Sequence, residues 1–241
     1  MKRFTTSWMR VMLLGLVSLF AFQEVGAATV TYDGINYTTS GTKATVKRYT
    51  FTKGDTTFYK GDIVIPETFE LKGITYTVVA TGANAFVDCR ELTSLQLPAT
   101  CVTIGRNCFK GCTALKNDPT PATATSLGNG YLQDCSSITE VTIPAGASGT
   151  FTAQNLAGMT SLKKITFADS ATPFKISVLA FVNKLGEGVQ SPIEEIYFGR
   201  NLDEGSGSNM PFRGIKTLKK VTFGGNFTTV DAEMFMGCTG L

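Results

Sequence analysis

Residues 85–98 read Ala-Phe-Val-Asp-Cys-Arg-Glu-Leu-Thr-Ser-Leu-Gln-Leu-Pro, and this stretch sets the pattern for most of the chain. Phe86 is followed three positions later by Cys89, and two apolar residues, Leu95 and Leu97, lie further on. These leucines are separated by one residue, which is the period of a strand with one buried face. Because proline has no N–H group to donate to a sheet, Pro98 predicts the end of that strand. The stretch therefore predicts a turn followed by a short strand.

The same arrangement recurs along the chain at a nearly constant interval. The large apolar residues that open the units are Phe86, Phe109, Leu132, Leu156, Phe181, Phe212 and Phe235. The steps between them are 23, 23, 24, 25, 31 and 23 residues, which is typical of a leucine-rich-repeat solenoid. We therefore predict a β-rich solenoid with coils of about 23 residues, parallel strands and short helical or irregular returns. We expect Phe86, Phe109 and Phe235 to be buried in a stacked column.

Two units depart from the pattern and are predicted to be locally irregular. In the second unit, the run 118–121, Asp-Pro-Thr-Pro, stands where an apolar strand is expected. In the fifth unit, Lys184 takes the position of the cysteine, and the glycine-rich residues 185–192 form an insertion. We expect this insertion to bulge from the edge of the solenoid, either as an adaptable binding loop or as a neutral insertion.

The N-terminal residues have the pattern of a secretory signal. Lys2 and Arg3 precede an apolar run at residues 11–22, and small residues at Val25 and Ala27 complete a cleavage site. Residues 1–27 are therefore predicted to be a signal peptide. As a helix the apolar run would rise only about 18 Å, less than the roughly 30 Å of a bilayer core. A retained membrane anchor is thus the less favoured alternative, and we expect no transmembrane segment after the signal is removed.

The remaining chain divides into a cap and the repeats. Residues 28–60 are predicted to form a β-rich N-terminal cap, because Asp33-Gly34 lies between β-forming residues and is a hairpin signal. A flexible threonine-rich leader is the alternative. The solenoid is predicted to occupy residues 61–241 and to be incomplete, or covered by another chain, at its C-terminal end. The apolar residues left there are Met234, Phe235, Met236, Cys238 and Leu241.

These units resemble the BspA-type leucine-rich repeat. The resemblance rests on residues 85–98, on the similar segments 108–115 and 235–241, and on residues 61–66, which precede the repeats. It extends over residues 61–241. It implies a secreted or cell-surface bacterial protein that binds other proteins or host matrix. The repeat motif contains no catalytic residues, so the resemblance carries none over to this chain.

The composition excludes several kinds of function. The 241 residues include 22 Lys and Arg, 19 Asp and Glu, and no His, giving a net charge of +3. Without imidazole there is no Ser-His-Asp or Cys-His catalysis and no His-ligated metal. Nucleic-acid binding needs a clustered basic face, which this small and scattered charge does not provide. We therefore expect no enzyme activity, no cofactor, no metal and no nucleic-acid partner.

Cysteines recur at one position of successive units, namely at Cys89, Cys112 and Cys135. Stacked coils would place their parallel Cβ atoms about 5 Å apart, which is too far for an unstrained disulfide. We therefore predict buried free thiols that act as small apolar groups. A disulfide involving Cys101 or Cys108 is the alternative. A metal cluster is not expected, since a column of thiols cannot form a tetrahedron.

The outward strand positions are the candidate binding surface. One row alternates in charge over its last four members: Ser94, Asn117, Glu140, Lys164, Glu195 and Lys220. The second row is uncharged and rich in threonine: Gln96, Pro119, Thr142, Thr166, Tyr197 and Thr222. Tyr197 is the single aromatic residue of these rows and the best candidate for a contact residue. Glu194, next to the first row, has no partner in the repeat frame.

The sequence favours a binding protein whose partner is a protein or glycoprotein, with adhesion as the expected role. The charged row has a second interpretation as a solubilising ladder that fixes strand register. The whole solenoid likewise has a second interpretation, as a structural spacer that displays or joins other parts of a surface protein without its own ligand.

Overall fold

The computed structural model describes residues 27–49, 58–176, 192–203, 212–230 and 233–241. These residues contain sixteen strands and no helix. The strands are β1 (Ala28–Tyr32), β2 (Ile35–Ser40), β3 (Lys43–Val46), β4 (Gly61–Val64), β5 (Thr68–Leu71), β6 (Ile74–Thr81), β7 (Leu92–Gln96), β8 (Thr103–Ile104), β9 (Ser126–Leu127), β10 (Glu140–Ile143), β11 (Thr150–Phe151), β12 (Lys164–Phe167), β13 (Phe174–Ile176), β14 (Glu195–Phe198), β15 (Leu202–Asp203) and β16 (Lys220–Phe223).

One parallel sheet takes a single strand from each of four coils, in the order β10-β12-β14-β16. Glu140 pairs with Lys164, Lys164 with Glu195, and Glu195 with Lys220, so the partners are 24, 31 and 25 residues apart. This sheet confirms the predicted β-solenoid with parallel strands. The register continues unchanged across the step of 31 residues. The predicted binding loop at 185–192 and the Lys184 position lie outside the described residues, apart from Pro192.

Shorter parallel pairings run along the other side of the coils, as β6-β8-β9 and as β11-β13-β15. The returns between strands are hydrogen-bonded turns, so of the two predicted kinds of return the described coils have the irregular one and not the helical one. The amides of Asn84, Phe86 and Asp88 donate to carbonyls of the next coil. Because these amides are used between coils, they are not available for the bonds within the chain that a helix needs.

At the N-terminal end, β1, β2 and β3 form an antiparallel unit, as the hairpin signal predicts. Asp33 and Gly34 turn the chain with positive φ angles of 47° and 75°, which Asn, Asp and Gly adopt most readily. Strand β3 then pairs in parallel with β6, and β5 pairs antiparallel with β6. The antiparallel unit therefore extends one sheet of the first coils.

Aromatic side chains stack from coil to coil inside the solenoid. The ring centroids of Phe86 and Phe109, both fully buried, lie 5.8 Å apart. Phe167 and Phe198 stack at 5.4 Å with nearly parallel rings. Phe235 stacks on Phe212 at 5.8 Å, as expected for the column. It is only half-buried, however, so the prediction that Phe235 is buried is wrong. No described coil packs against its outer side, which explains the exposure.

All six cysteines are buried free thiols, including Cys89, Cys112 and Cys135, for which this state is predicted. The thiols of Cys112, Cys135 and Cys238 each donate to a backbone carbonyl at an anchor position of the preceding coil, at 3.0 to 3.1 Å. Burial raises the pKa of Cys135 to about 12, so this thiol stays protonated and keeps its donor. Cysteine therefore suits this position because it is small and apolar yet still donates one hydrogen bond.

Candidate binding face

The candidate face is the outward side of β10, β12, β14 and β16, which we call the strand face. Its eight members are Glu140, Thr142, Lys164, Thr166, Glu195, Tyr197, Lys220 and Thr222. All are exposed or half-buried, while the alternate residues of β10, β12 and β14 are buried in the core. The register places the eight in two rows across the sheet, as their spacing indicates. The face is four strands wide.

The ninth candidate, Gln96, lies apart from these rows. Gln96 is exposed at the end of β7, but β7 pairs with β4 in a separate two-stranded sheet. On this side of the solenoid no described strand lies between β7 and β10, because β8 and β9 belong to the sheet of β6, so the second unit is irregular here as predicted. Pro119, expected in the uncharged row, is buried. Its ring cannot take a strand position that faces solvent because the chain here does not form a strand.

Two side chains occupy the place of the missing strand. The Asn117 Nδ2 donates to the Leu95 carbonyl at 2.7 Å, and the Leu95 N–H donates to Asn117 Oδ1 at 3.2 Å. These are the two bonds that a neighbouring strand would make. On the other side, the Thr142 N–H donates to Asp118 Oδ2 at 3.0 Å. Asn117 and Asp118 therefore connect β7 to β10 through their side chains.

Burial and hydrogen bonding shift the pKa of Asp118 in opposite directions. Burial raises the pKa of its carboxyl group above the usual range, because it disfavours the charged form. The amides of Thr120 and Thr142 donate to the two oxygens and favour the ionised form. The net pKa is raised.

The charged row contains one ion pair among the described residues, with 3.7 Å between Lys164 Nζ and Glu140 Oε2. Shorter pairs lie one residue before the strands, where Glu194 contacts Lys163 at 2.6 Å and Lys219 at 2.7 Å. The expectation that Glu194 has no partner is therefore wrong. Hydrogen bonds from the two ammonium groups lower the pKa of Glu194 to about 2. The repeat pattern does not predict this triad, because the prediction from it covers only positions inside the strands.

The hydroxyl of Tyr197 is held by a carboxylate of the preceding coil. It donates to Asp169, with distances of 2.9 and 3.1 Å to the two oxygens, and this bond raises the pKa of Tyr197. A Cβ atom at Gly224 would lie 2.5 Å from the Tyr197 hydroxyl and 2.7 Å from Asp169 Oδ1. Glycine at 224 thus leaves room for the pair. No sequence pattern indicates Asp169, because it lies beyond the end of β12 and 28 residues from its partner.

Within the described ranges, no group of His, Cys, Asp or Glu side chains could hold a metal ion. The same residues include no helix long and apolar enough to cross a membrane. The fold and the strand face together define a class of protein: a leucine-rich-repeat solenoid that presents one side of its parallel strands to solvent.

Comparisons with known proteins place the chain more narrowly. The family model for the BspA type leucine-rich repeat region matches residues 79–202 and 189–241, with six copies. The chain therefore belongs to the BspA-type leucine-rich repeat family. No curated protein matches it.

Three solved structures are similar to this chain. A leucine-rich repeat protein of T. pallidum has 18% identity and a TM-score of 0.52, over 82% of this chain and 83% of its own. One from Bacteroides capillosus has 22% identity and a TM-score of 0.47, over 57% of this chain and 96% of its own. A leucine rich cell surface protein from Faecalibacterium prausnitzii has 17% identity and a TM-score of 0.45, over 90% and 82%. The T. pallidum structure supports the solenoid fold.

Proposed function

We propose that this protein is exported to the bacterial surface or secreted, and that its strand face binds a protein or glycoprotein ligand in adhesion. The family, the basic and apolar N-terminal residues 1–27 and the open strand face support this proposal. The observation that carries it is the fixed position of Tyr197. Its half-buried ring lies among threonines, while its hydroxyl is already bound to Asp169.

A held aromatic ring is suited to binding because little side-chain freedom is lost when a partner covers it. Thr142, Thr166 and Thr222 add small side chains that can donate and accept hydrogen bonds. The charged row next to them, from Glu140 to Lys220, carries both signs of charge. Such a face favours a partner surface with mixed polar groups. The proposal includes no catalytic step.

The test is retention of immobilised matrix proteins and mucin glycoproteins by the purified chain. We expect Thr222→Arg, which places a long charged side chain in the uncharged row, to weaken binding about tenfold or more. The matched control is Thr150→Arg, at an exposed position of β11 on a different sheet, which should bind as the wild type does. Equal loss in both variants would contradict a role for the strand face.

Export is tested separately by the N-terminus of the protein recovered from cells. Cleavage after Ala27 should give a mature chain that starts at Ala28, which mass spectrometry of the intact protein can establish. If the chain is exported but retains none of the ligands, the spacer interpretation takes the place of adhesion.

A further inference from the structure

A groove lies beside β4, in a sheet separate from the strand face. It has a volume of about 320 Å³ and lies between β4 and the turn of the β1–β2 hairpin. Its walls include the aromatic residues Tyr37, Tyr49 and Tyr59. Asp33 and Asp62 also line it. The groove therefore combines apolar surface with charge at the N-terminal end of the solenoid.

One side of the groove is an open strand edge. The amides of Gly61, in β4, and of Ile65, just after it, donate to carbonyls of the next coil at 2.8 and 2.9 Å, so both residues face β7. The N–H and C=O groups of Asp62 and Val64 consequently point to the opposite side. No strand in the described part of the chain pairs there. Val64 is also 67% exposed, so this edge presents both backbone groups and an apolar side chain.

Tyr37 supplies an unused hydrogen-bonding group. Its side chain is fully buried, and its hydroxyl has no partner among the described residues. Burial raises the pKa of Tyr37, so the hydroxyl remains a donor. By contrast, the Tyr59 hydroxyl accepts from the Asn36 amide and donates to the Lys47 carbonyl, each at 3.0 Å. Because the Tyr37 hydroxyl is closed off from solvent, the groups that a ligand in the groove can reach are the half-buried Tyr49 and the exposed Asp33 and Asp62.

The charges of the groove favour a cation. Asp33 and Asp62 provide two carboxylates, whereas Lys60 provides one ammonium group. Asp62 accepts a hydrogen bond from Thr93 of β7 at 2.6 Å, which fixes its carboxylate on the side of β4 that faces β7. Tyrosine faces and carboxylates together are the groups that bind the ammonium or guanidinium end of a side chain.

We propose that this groove binds an extended peptide segment of a partner protein, which adds as a strand to β4. The segment places a lysine or arginine side chain in the groove beside Tyr49 and the two carboxylates. The edge bonds would hold any extended chain, and the charged groove would select the side chain.

The probes are two fluorescent pentapeptides, acetylated and amidated, with the sequences Thr-Val-Lys-Val-Thr and Thr-Val-Glu-Val-Thr. Fluorescence anisotropy should show that the lysine peptide binds about tenfold more tightly than the glutamate peptide, because the groove carries net negative charge. Asp33→Asn should reduce this difference. Equal affinity for the two peptides, or no binding of either, would overturn the proposal.

Val64→Pro tests the strand edge, because proline removes the outward N–H that an added strand needs. It should abolish binding of the lysine peptide, whereas the control Val64→Thr keeps the N–H and should retain it. Circular dichroism and the melting temperature establish that both variants fold. Unchanged binding by a folded Val64→Pro variant would show that β4 does not receive the peptide.

Hydrogen exchange in the wild-type protein identifies the occupant without any variant. The amides of Asp62 and Val64 should exchange rapidly in the free monomer and slowly when the lysine peptide is saturating. Slow exchange in a peptide-free monomer would assign the edge to residues of the same chain. Slow exchange that develops only at high protein concentration would assign it to a second copy. Either result would overturn the proposal.

Discussion

The coils of this solenoid are joined in two different ways. From β10 to β16, adjacent coils pair strand to strand through their backbones. Between β7 and β10, where no described strand is present on this side of the coils, the side chains of Asn117 and Asp118 make the connection. The aromatic column nevertheless continues through the second coil, where Phe109 is fully buried. The stacking of coils therefore depends on the buried column more than on an unbroken sheet.

In the regular stretch from β10 to β16, the buried side chain of Arg200 also connects coils. Its guanidinium group lies fully buried, 5.1 Å from the centre of the Phe174 ring. It donates to the carbonyls of Ala145 at 3.2 Å and Ile143 at 3.4 Å, and also to Pro144. One side chain thus binds several carbonyls of a coil that lies more than fifty residues earlier in the chain.

The substitutions with the largest expected effect test whether the core is packed as well in the irregular second coil as in the regular stretch from β10 to β16. Phe109→Ala in the second coil and Phe198→Ala in β14 should each lower the free energy of unfolding by about 3–5 kcal/mol, because each removes a fully buried ring. Urea unfolding measures both. A loss under about 1 kcal/mol for Phe109→Ala alone would show that the irregular coil lacks a packed core.

Replacement of Arg200 should have the next largest effect and should act only on the regular stretch. Arg200→Met keeps the aliphatic contacts but removes the charge-assisted hydrogen bonds to these carbonyls, although Ile143 and Pro144 also accept backbone N–H groups, so we expect a loss of about 2 kcal/mol. Arg200→Lys, which keeps the charge but not the planar group, should recover only part of this loss. Full recovery by lysine would mean that charge, rather than the number of donors, is what matters.

Local features of this fold were predictable from the sequence, whereas contacts across coils were not. The spacing of Leu95 and Leu97 predicts a strand, and the run 118–121 predicts its absence in the next coil. The bond from Tyr197 to Asp169 and the triad around Glu194 depend on the register between coils. The repeat frame did not include the positions beside the strands. Nor can sequence spacing indicate that an asparagine side chain will replace a strand.

Asp118 makes the irregular connection sensitive to pH. Because its pKa is raised in the folded protein, the folded state holds this proton more tightly than the unfolded state does. The resulting stability is present below the ordinary carboxyl pKa and is lost as pH rises through the folded pKa. Within that window, the wild type should lose up to about 1.4 kcal/mol per pH unit relative to Asp118→Asn, which does not titrate.

Urea unfolding of both proteins between pH 4 and pH 7 measures this difference. Asparagine has only one oxygen for the two amides that Asp118 accepts, so a constant offset between the curves is also expected. Parallel curves with no change of slope would show that Asp118 does not titrate in this range.

The smallest effect tests the replacement of a strand by Asn117. Asn117→Ala removes both bonds to Leu95, but Asn117 is exposed and water can reach the freed groups. We therefore expect a loss of about 1 kcal/mol, less than two buried hydrogen bonds would contribute. The amide of Leu95 should also exchange faster. The control is Thr142→Ala on β10, where the backbone makes the connection, and this change should cost less than about 0.5 kcal/mol. Equal effects of the two changes, with Leu95 exchange unaltered, would mean that another group joins β7 to the third coil.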